Sequence, residues 1–427
     1  MQLNDKRTIN GWAYFDWANS AYYLVISTAI FPIYFSSVTD DRISIAGGTI
    51  SNTALYSFSV SAAYILIAIL SPLLSGIADY SGRRMSFLKS FTLLGAFGCI
   101  ALFFFQSPES MWIGTTAFIL GTIGAAGGLV FYDSYLPLIA SEDQYDKVSA
   151  RGYAYGYVGS VILLIVCLVM IQKPEWFGIS NPTLPSRISF VLVGLWWLGF
   201  SQITFKRLPA DVPLIEPGKL LAKGWNELLQ VWQNIKHDAD IKRFLAAYFF
   251  YIAGLHTVIY LASLFADHEL GFKDSELIIT ILLLQLVAIP GALFFARVSK
   301  WKGNKFSLMI QLVIWMLICL GAYATTEKWQ FFTIAGLVGM VLGGIQSLSR
   351  STYAKLLEGR KEDPTTFFSF LDVLSKLAIV SGTFIFGLVN SLTGSMRYSV
   401  LVLTLFFLVG AILLSGVSPM KLSSQTK

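Results

Sequence analysis

Long apolar runs unbroken by any charge dominate the chain: twelve stretches of 18 or more residues contain no Asp, Glu, Lys or Arg. They cover 17–39, 43–78, 90–108, 110–132, 152–172, 188–205, 244–266, 277–296, 306–326, 329–349, 377–396 and 398–420. A helix rises 1.5 Å per residue, so each run can cross the roughly 30 Å hydrocarbon core of a bilayer. The pattern predicts an all-α integral membrane protein with twelve transmembrane helices. Polar residues gather in short segments between the runs, except after the sixth. There the chain passes Pro209, Pro213 and Pro217, then sets Leu221, Trp225, Leu228, Trp232 and Ile235 on one helical stripe with Lys219, Lys223 and Lys236 around it. This predicts an amphipathic helix on the inner membrane surface that joins and anchors two halves. The chain accordingly divides into a six-helix bundle over 1–207, a linker over 208–241 and a second six-helix bundle over 242–427.

Composition agrees with a membrane solvent. The chain is 55% hydrophobic and only 13% charged, about half the charged fraction of a soluble domain. The net charge is +6, yet the basic residues lie scattered through short loops with no aromatic-interleaved basic domain, so no nucleic-acid partner is expected. Their placement reads orientation instead. Of 31 Lys and Arg, 23 fall on the side of the N-terminus and 6 on the other, with Arg350 and Lys376 inside spans. That asymmetry places both termini in the cytoplasm, with a bacterial plasma (inner) membrane as the expected location. Cys99, Cys167 and Cys319 sit in apolar runs without CxxC or Cys/His spacing, as packing residues do. Polar Asn4–Arg7 and a first apolar run too long for a signal core predict no cleavable leader. Without a Walker loop, HExxH or GxSxG motif, neither an ATP-driven pump nor an enzyme is expected, and no cofactor or metal.

Short matches relate the halves. Ala13-Tyr14-Phe15 in span one parallels Ala247-Tyr248-Phe249 in span seven, and Gly124, Gly127 and Gly128 in span four parallel Gly339, Gly343 and Gly344 in span ten. Glycines at this spacing serve helix packing or gating equally well. Between spans two and three, Gly76 to Arg84 places Asp79 ahead of Gly82, Arg83 and Arg84, a tight turn able to latch one helix to its neighbour. This loop resembles that of the major facilitator superfamily, with Ser75 where the first glycine usually stands, Gly76 one residue late and Tyr80 in place of the usual base. The matching loop of the second half, 297–305, keeps Gly303 and Lys305 but has Lys300 where the acid would be, so a weak latch is expected there.

Ionisable residues inside spans are expensive and usually face a water-filled path or a partner. Here they are Asp16, Asp133, His256, Arg350, Asp372 and Lys376, in spans one, four, seven, ten and eleven. Each has a structural alternative. Asp133 near Arg151 suits an ion pair closing the inner end, Asp372 and Lys376 are four apart and can neutralise each other, and His256 suits a packing histidine. Asp16 has no basic neighbour within its helix, and Tyr14, Trp17, Asn19 and Tyr22 surround its turn, which favours function.

Residues 11–22, Gly-Trp-Ala-Tyr-Phe-Asp-Trp-Ala-Asn-Ser-Ala-Tyr, resemble the first-helix signature of the vacuole-effluxer family, which includes a yeast vacuolar amino-acid exporter and bacterial relatives. Phe131 to Pro137, Ser149 to Tyr153 and Gln346 to Ser351 agree with it, although bacterial relatives more often carry Asn at position 133. The resemblance implies a secondary active transporter working by alternating access, with spans one, four, seven and ten lining a central cavity, spans two, five, eight and eleven completing its walls, and the rest outside. It implies export of a small organic solute, an amino acid foremost, with protons as a candidate coupling ion and membrane lipid as the surrounding partner. Candidate substrate or coupling residues are Asp16, Asn19, Tyr22, Asp133, His256, Gln346, Arg350, Asp372 and Lys376. Candidate gating residues are Asp79, Gly82, Arg83, Arg84 and Arg151. Asp16 and Asp372 with Arg350 and Lys376 could engage both ends of a zwitterion. A sugar, amphiphile or peptide substrate stays open, as does a transporter-shaped receptor or scaffold.

Overall fold

A computed structural model describes residues 3–40, 42–45, 48–212, 220–358, 364–393 and 395–418. Apart from one hairpin and the short connections, the described residues are helical, and eleven helical stretches are long and apolar enough to cross a membrane. The seventh expected span lies within a further continuous helix of 32 residues. The chain forms two compact units, one from the described residues of 5–135 and 155–225, the other from 136–154 with the described residues of 226–427 and the N-terminal residues 3–4.

The first unit begins with α1 (Lys6–Ala21), whose N-cap Asp5 accepts from the Thr8 hydroxyl (2.7 Å) and N–H (2.9 Å). Those two bonds hold the Asp5 carboxyl below the usual carboxylate range. The first span is not one α-helix. Tyr22–Ile30 widens into a π-helix before α2 (Phe31–Val38), with Thr28 Oγ1 donating to the Tyr23 carbonyl five residues back. Pro32 in α2 lacks the N–H that would continue an α ladder to Thr28. The run at 43–78 also departs from expectation: its start forms a hairpin, β1 (Arg42–Ile45) with β2 (Gly48–Ser51), and helix α3 begins only at Asn52, running to Ser81. Ile43, Ile45 and Ile50 are β-branched residues suited to such a pairing.

Helices α4 (Arg84–Ala101), α5 (Met111–Asp133), the body of α7 (Tyr145–Gln172) and α8 (Leu184–Arg207) complete this unit. α5 packs on α3 and α4, and α8 on α1 and α4. The α4–α5 crossing is close enough that a Cβ on Gly124 would lie 2.3 Å from the Gly95 Cα, so only glycine fits there.

The second unit contains a short α6 (Leu136–Ile139), the first turns of α7, most of α9 (Leu220–His237), and α10 (Ala239–Leu270), α11 (Asp274–Lys302), α12 (Asn304–Ala324), α13 (Lys328–Leu356), α14 (Pro364–Thr393) and α15 (Met396–Ser415). α13 lies along α11, and a Cβ on Gly343 would come within 2.4 Å of the Ala288 carbonyl oxygen. The glycines of spans four and ten are thus helix contacts. Arg397 pairs with Glu269 (2.8 Å) and Lys328 with Glu276 (2.7 Å) at loop ends. The three cysteines are buried and free.

Candidate functional site

In the first unit, Asp16 is 5% exposed and accepts a 2.7 Å hydrogen bond from the Tyr132 hydroxyl of α5. Packing fixes that phenol. Its ring stacks on Trp12 (centroids 4.5 Å apart) and Phe15 (4.8 Å), and Trp12 Nε1–H donates to the Tyr132 carbonyl at 2.9 Å. Gly156 lets α7 approach the backbone here, since a Cβ would sit 2.5 Å from Ser20 Oγ and 3.2 Å from the Asp16 carbonyl oxygen. One turn on, Asn19 is 1% exposed and its Oδ1 has no hydrogen-bond partner among the described residues. An unsatisfied buried acceptor costs about 1–3 kcal/mol. Asp16 and Asn19, three residues apart on one helix, therefore set two acceptors within about 5–6 Å of each other at Cβ.

Tyr22 is placed differently. Its hydroxyl meets Thr122 Oγ1 (2.6 Å) and the Phe118 carbonyl (3.3 Å) inside the bundle, beside Trp197. Trp17 stacks on Trp196 and Tyr14 meets Tyr155 edge-on, so these rings pack span one against α7 and α8. Asp133 ends α5, half-buried.

The α3–α4 turn brings most of its expected residues together. Gly82 adopts φ +65°, and Asp79, 4% exposed, pairs with Arg84 at 3.2 Å while Arg83 is exposed. Arg84 also lies 5.5 Å from the centre of the Tyr135 ring. Asp211, which the sequence did not single out, caps α4 by accepting from the N–H groups of Met85 (2.6 Å) and Ser86 (2.9 Å). This pins the start of the linker to the turn.

The matching turn of the second unit is not weak. Gly303 adopts φ +86°, and the place of the missing acid is taken by Asp146 of α7. The Asp146 carboxylate accepts from Ser299 Oγ (2.7 Å), Asn304 Nδ2 (2.7 Å) and Lys355 Nζ (2.8 Å). Lys355 donates also to Asn304 Oδ1 at 2.7 Å. All four residues are at most 9% exposed, and mutual saturation of this kind is what permits charges to be buried. Beside them Tyr145 donates to Glu358 (2.7 Å) and Ser149 to the Ser347 carbonyl (2.7 Å).

Arg350 is anchored on α7 a few residues beyond Asp146. It is 4% exposed, donates to Ser149 Oγ (2.9 Å) and the Ser149 carbonyl (3.0 Å), and lies 4.4 Å from the centre of the Tyr153 ring. Arg151 and Gln346 are half-buried nearby in sequence, and His256 is half-buried on α10. Asp372 and Lys376 form an ion pair within α14. A separate cavity in this unit is walled mostly by apolar residues, including Phe265, Cys319, Phe331 and Phe386, with Thr257 and Thr280 among them.

The helical architecture is similar to the solved major facilitator proton:xylose symporter XylE, with a TM-score of 0.74 over 97% of this chain and 96% of that one at 12% identity. The fold is therefore that of the major facilitator proteins of known structure. The sequence model described as "Vacuole effluxer Atg22 like" matches residues 4–426. The chain is 31% identical to the MFS-type transporter YxiO of Bacillus subtilis, covering 96% of this chain and 94% of that protein. It is 27% identical to Autophagy-related protein 22 of Kluyveromyces lactis, covering 84% and 78%. The chain belongs to the Atg22-like vacuole effluxer family.

Proposed function

We propose that this transporter exports small zwitterionic solutes, amino acids foremost, by alternating access, with Asp16 and Asn19 receiving the ammonium group. The observation that carries this reading is the open Asn19 acceptor one turn from the buried Asp16 carboxylate. An ammonium has three donors and a charge, and two acceptors on one helical face suit it better than they suit a neutral or anionic group. Tyr132 orients the carboxylate, leaving Tyr22 a packing role. Asp16 is also the residue assigned to proton exchange during the cycle, as the buried carboxylate of the first span. The Asp146 network serves as the conformational lock of the cycle, together with the Asp79–Arg84 turn and Arg350. The family description supports efflux, and the 23-to-6 basic asymmetry supports cytoplasmic termini in a bacterial plasma membrane.

Counterflow in proteoliposomes tests the substrate class. Vesicles preloaded with unlabelled amino acids are expected to draw in labelled amino acid transiently, while sugars and hydrophobic cations fail to drive it. Counterflow with a sugar or amphiphile and none with any amino acid would replace the zwitterion reading.

A further inference from the structure

Helix α9 carries three faces rather than two. At 3.6 residues per turn, Leu228, Val231 and Ile235 form one stripe, and it is turned inward, with Val231 and Ile235 buried. Asn226, Gln230, Gln233 and His237 form an exposed polar stripe. Between them lies a third, made of Trp225, Leu229, Trp232 and Lys236, whose apolar members are 54%, 41% and 50% exposed. A water-facing helix has no use for two tryptophans there, and a buried one would cover them.

We propose that this third stripe is seated in the headgroup–acyl boundary of the inner leaflet, with phospholipid as its partner. Continuity with the bilayer-facing surface supports this occupant. The Trp232 ring stacks on Phe370 of α14 at 5.8 Å, and Phe370 heads a stripe that continues through Leu377, Val380, Phe384 and Leu388, exposed by 53%, 56%, 69% and 48%. That stripe belongs to a membrane-spanning helix and faces lipid, so α9 prolongs it at the depth where indole rings prefer to lie. Charge fits as well. Lys236, exposed one turn beyond Trp232, can extend its ammonium to lipid phosphates. The neighbouring acids are engaged at helix ends: Asp238 accepts from the Asp240 and Ile241 N–H groups, and Asp240 from that of Ser418. The inward stripe holds the helix to the protein, the third holds it to lipid, and the polar stripe is left to water.

Nitroxide labelling of the full-length protein in phosphatidylcholine–phosphatidylglycerol vesicles tests this, because the native cysteines are buried and a thiol reagent added to folded protein goes to an introduced site. A label at Leu229→Cys is expected to collide more with oxygen, which partitions into lipid, than with an aqueous nickel chelate. A label at Gln230→Cys, its immediate neighbour, should show the reverse. Trp225→Cys provides a second lipid-side position should Leu229→Cys fold poorly. Nickel access at 229 and 225 equal to that at 230 would put the stripe in water and overturn the proposal. Shielding from both reagents would overturn it too, by showing that a second copy or another protein covers the stripe.

Discussion

After α3 the chain turns through Gly82 with its own acid, Asp79, paired to Arg84 five residues on. After α11 it turns through Gly303 with no acid of its own, and Asp146, 158 residues before Asn304, enters the turn. The first arrangement is a local pair backed by the Tyr135 ring and by Asp211 on the helix N-terminus. The second is a closed four-residue network that draws on α7, α11, α12 and α13. A local pair can re-form within its own loop whatever the rest of the molecule does. The distant one exists only while 136–154 is docked, and with a buried charge on each side it is expected to be the more costly to break.

The largest expected effect follows from Asp146. Asp146→Ala strands a Lys355 side chain that is 5% exposed, and removing one partner of a buried pair costs about 3–5 kcal/mol. Lys355→Ala should be similar, and the double variant should lose less than the sum, with a coupling of about 1–3 kcal/mol. Thermal unfolding of the four proteins in detergent reads this cycle. Additive losses would show that the two residues act separately, and the contrast between the turns would fall. A smaller effect is expected from Asp79→Asn, which keeps an acceptor for Arg84 and loses only the charge, at most the roughly 1.5–3 kcal/mol of a hydrogen bond to a charged group. Solute affinity should stay near wild type while turnover slows, a split that binding and flux measured separately would show. A stability loss from Asp79→Asn equal to that from Asp146→Ala would erase the distinction.

The same contrast explains what was legible in the sequence. Twelve charge-free runs report directly on a bilayer solvent, so the helical architecture could be read from them. The Asp79 turn could be read because its partners lie within six residues. Asp146 could not: it stands in the polar string Glu142 to Lys147, which reads as a solvated loop, and its partner Lys355 reads as one more basic loop residue. Asn304 and Ser299 carry no charge to attract notice. Arg350 drew attention as an intramembrane base, but its tie to Ser149 depends on helix docking that one chain's residue order does not reveal. Tyr132 was passed over for its neighbour Asp133, although its stack on Trp12 and Phe15 aims it at Asp16. The hairpin at 42–51 hid inside a run long enough to be helix, and the π segment at Tyr22–Ile30 has no sequence mark beyond Pro32.

The central claim, that Asp16 receives the moving solute, is tested most directly by amino-acid exchange in proteoliposomes carrying Asp16→Asn. The account predicts that half-saturation rises by about tenfold or more, the scale of one lost hydrogen bond to a charged group, and that pH-driven accumulation disappears. Exchange and accumulation at wild-type levels in the folded variant would contradict it and leave Asp16 a structural partner of Tyr132.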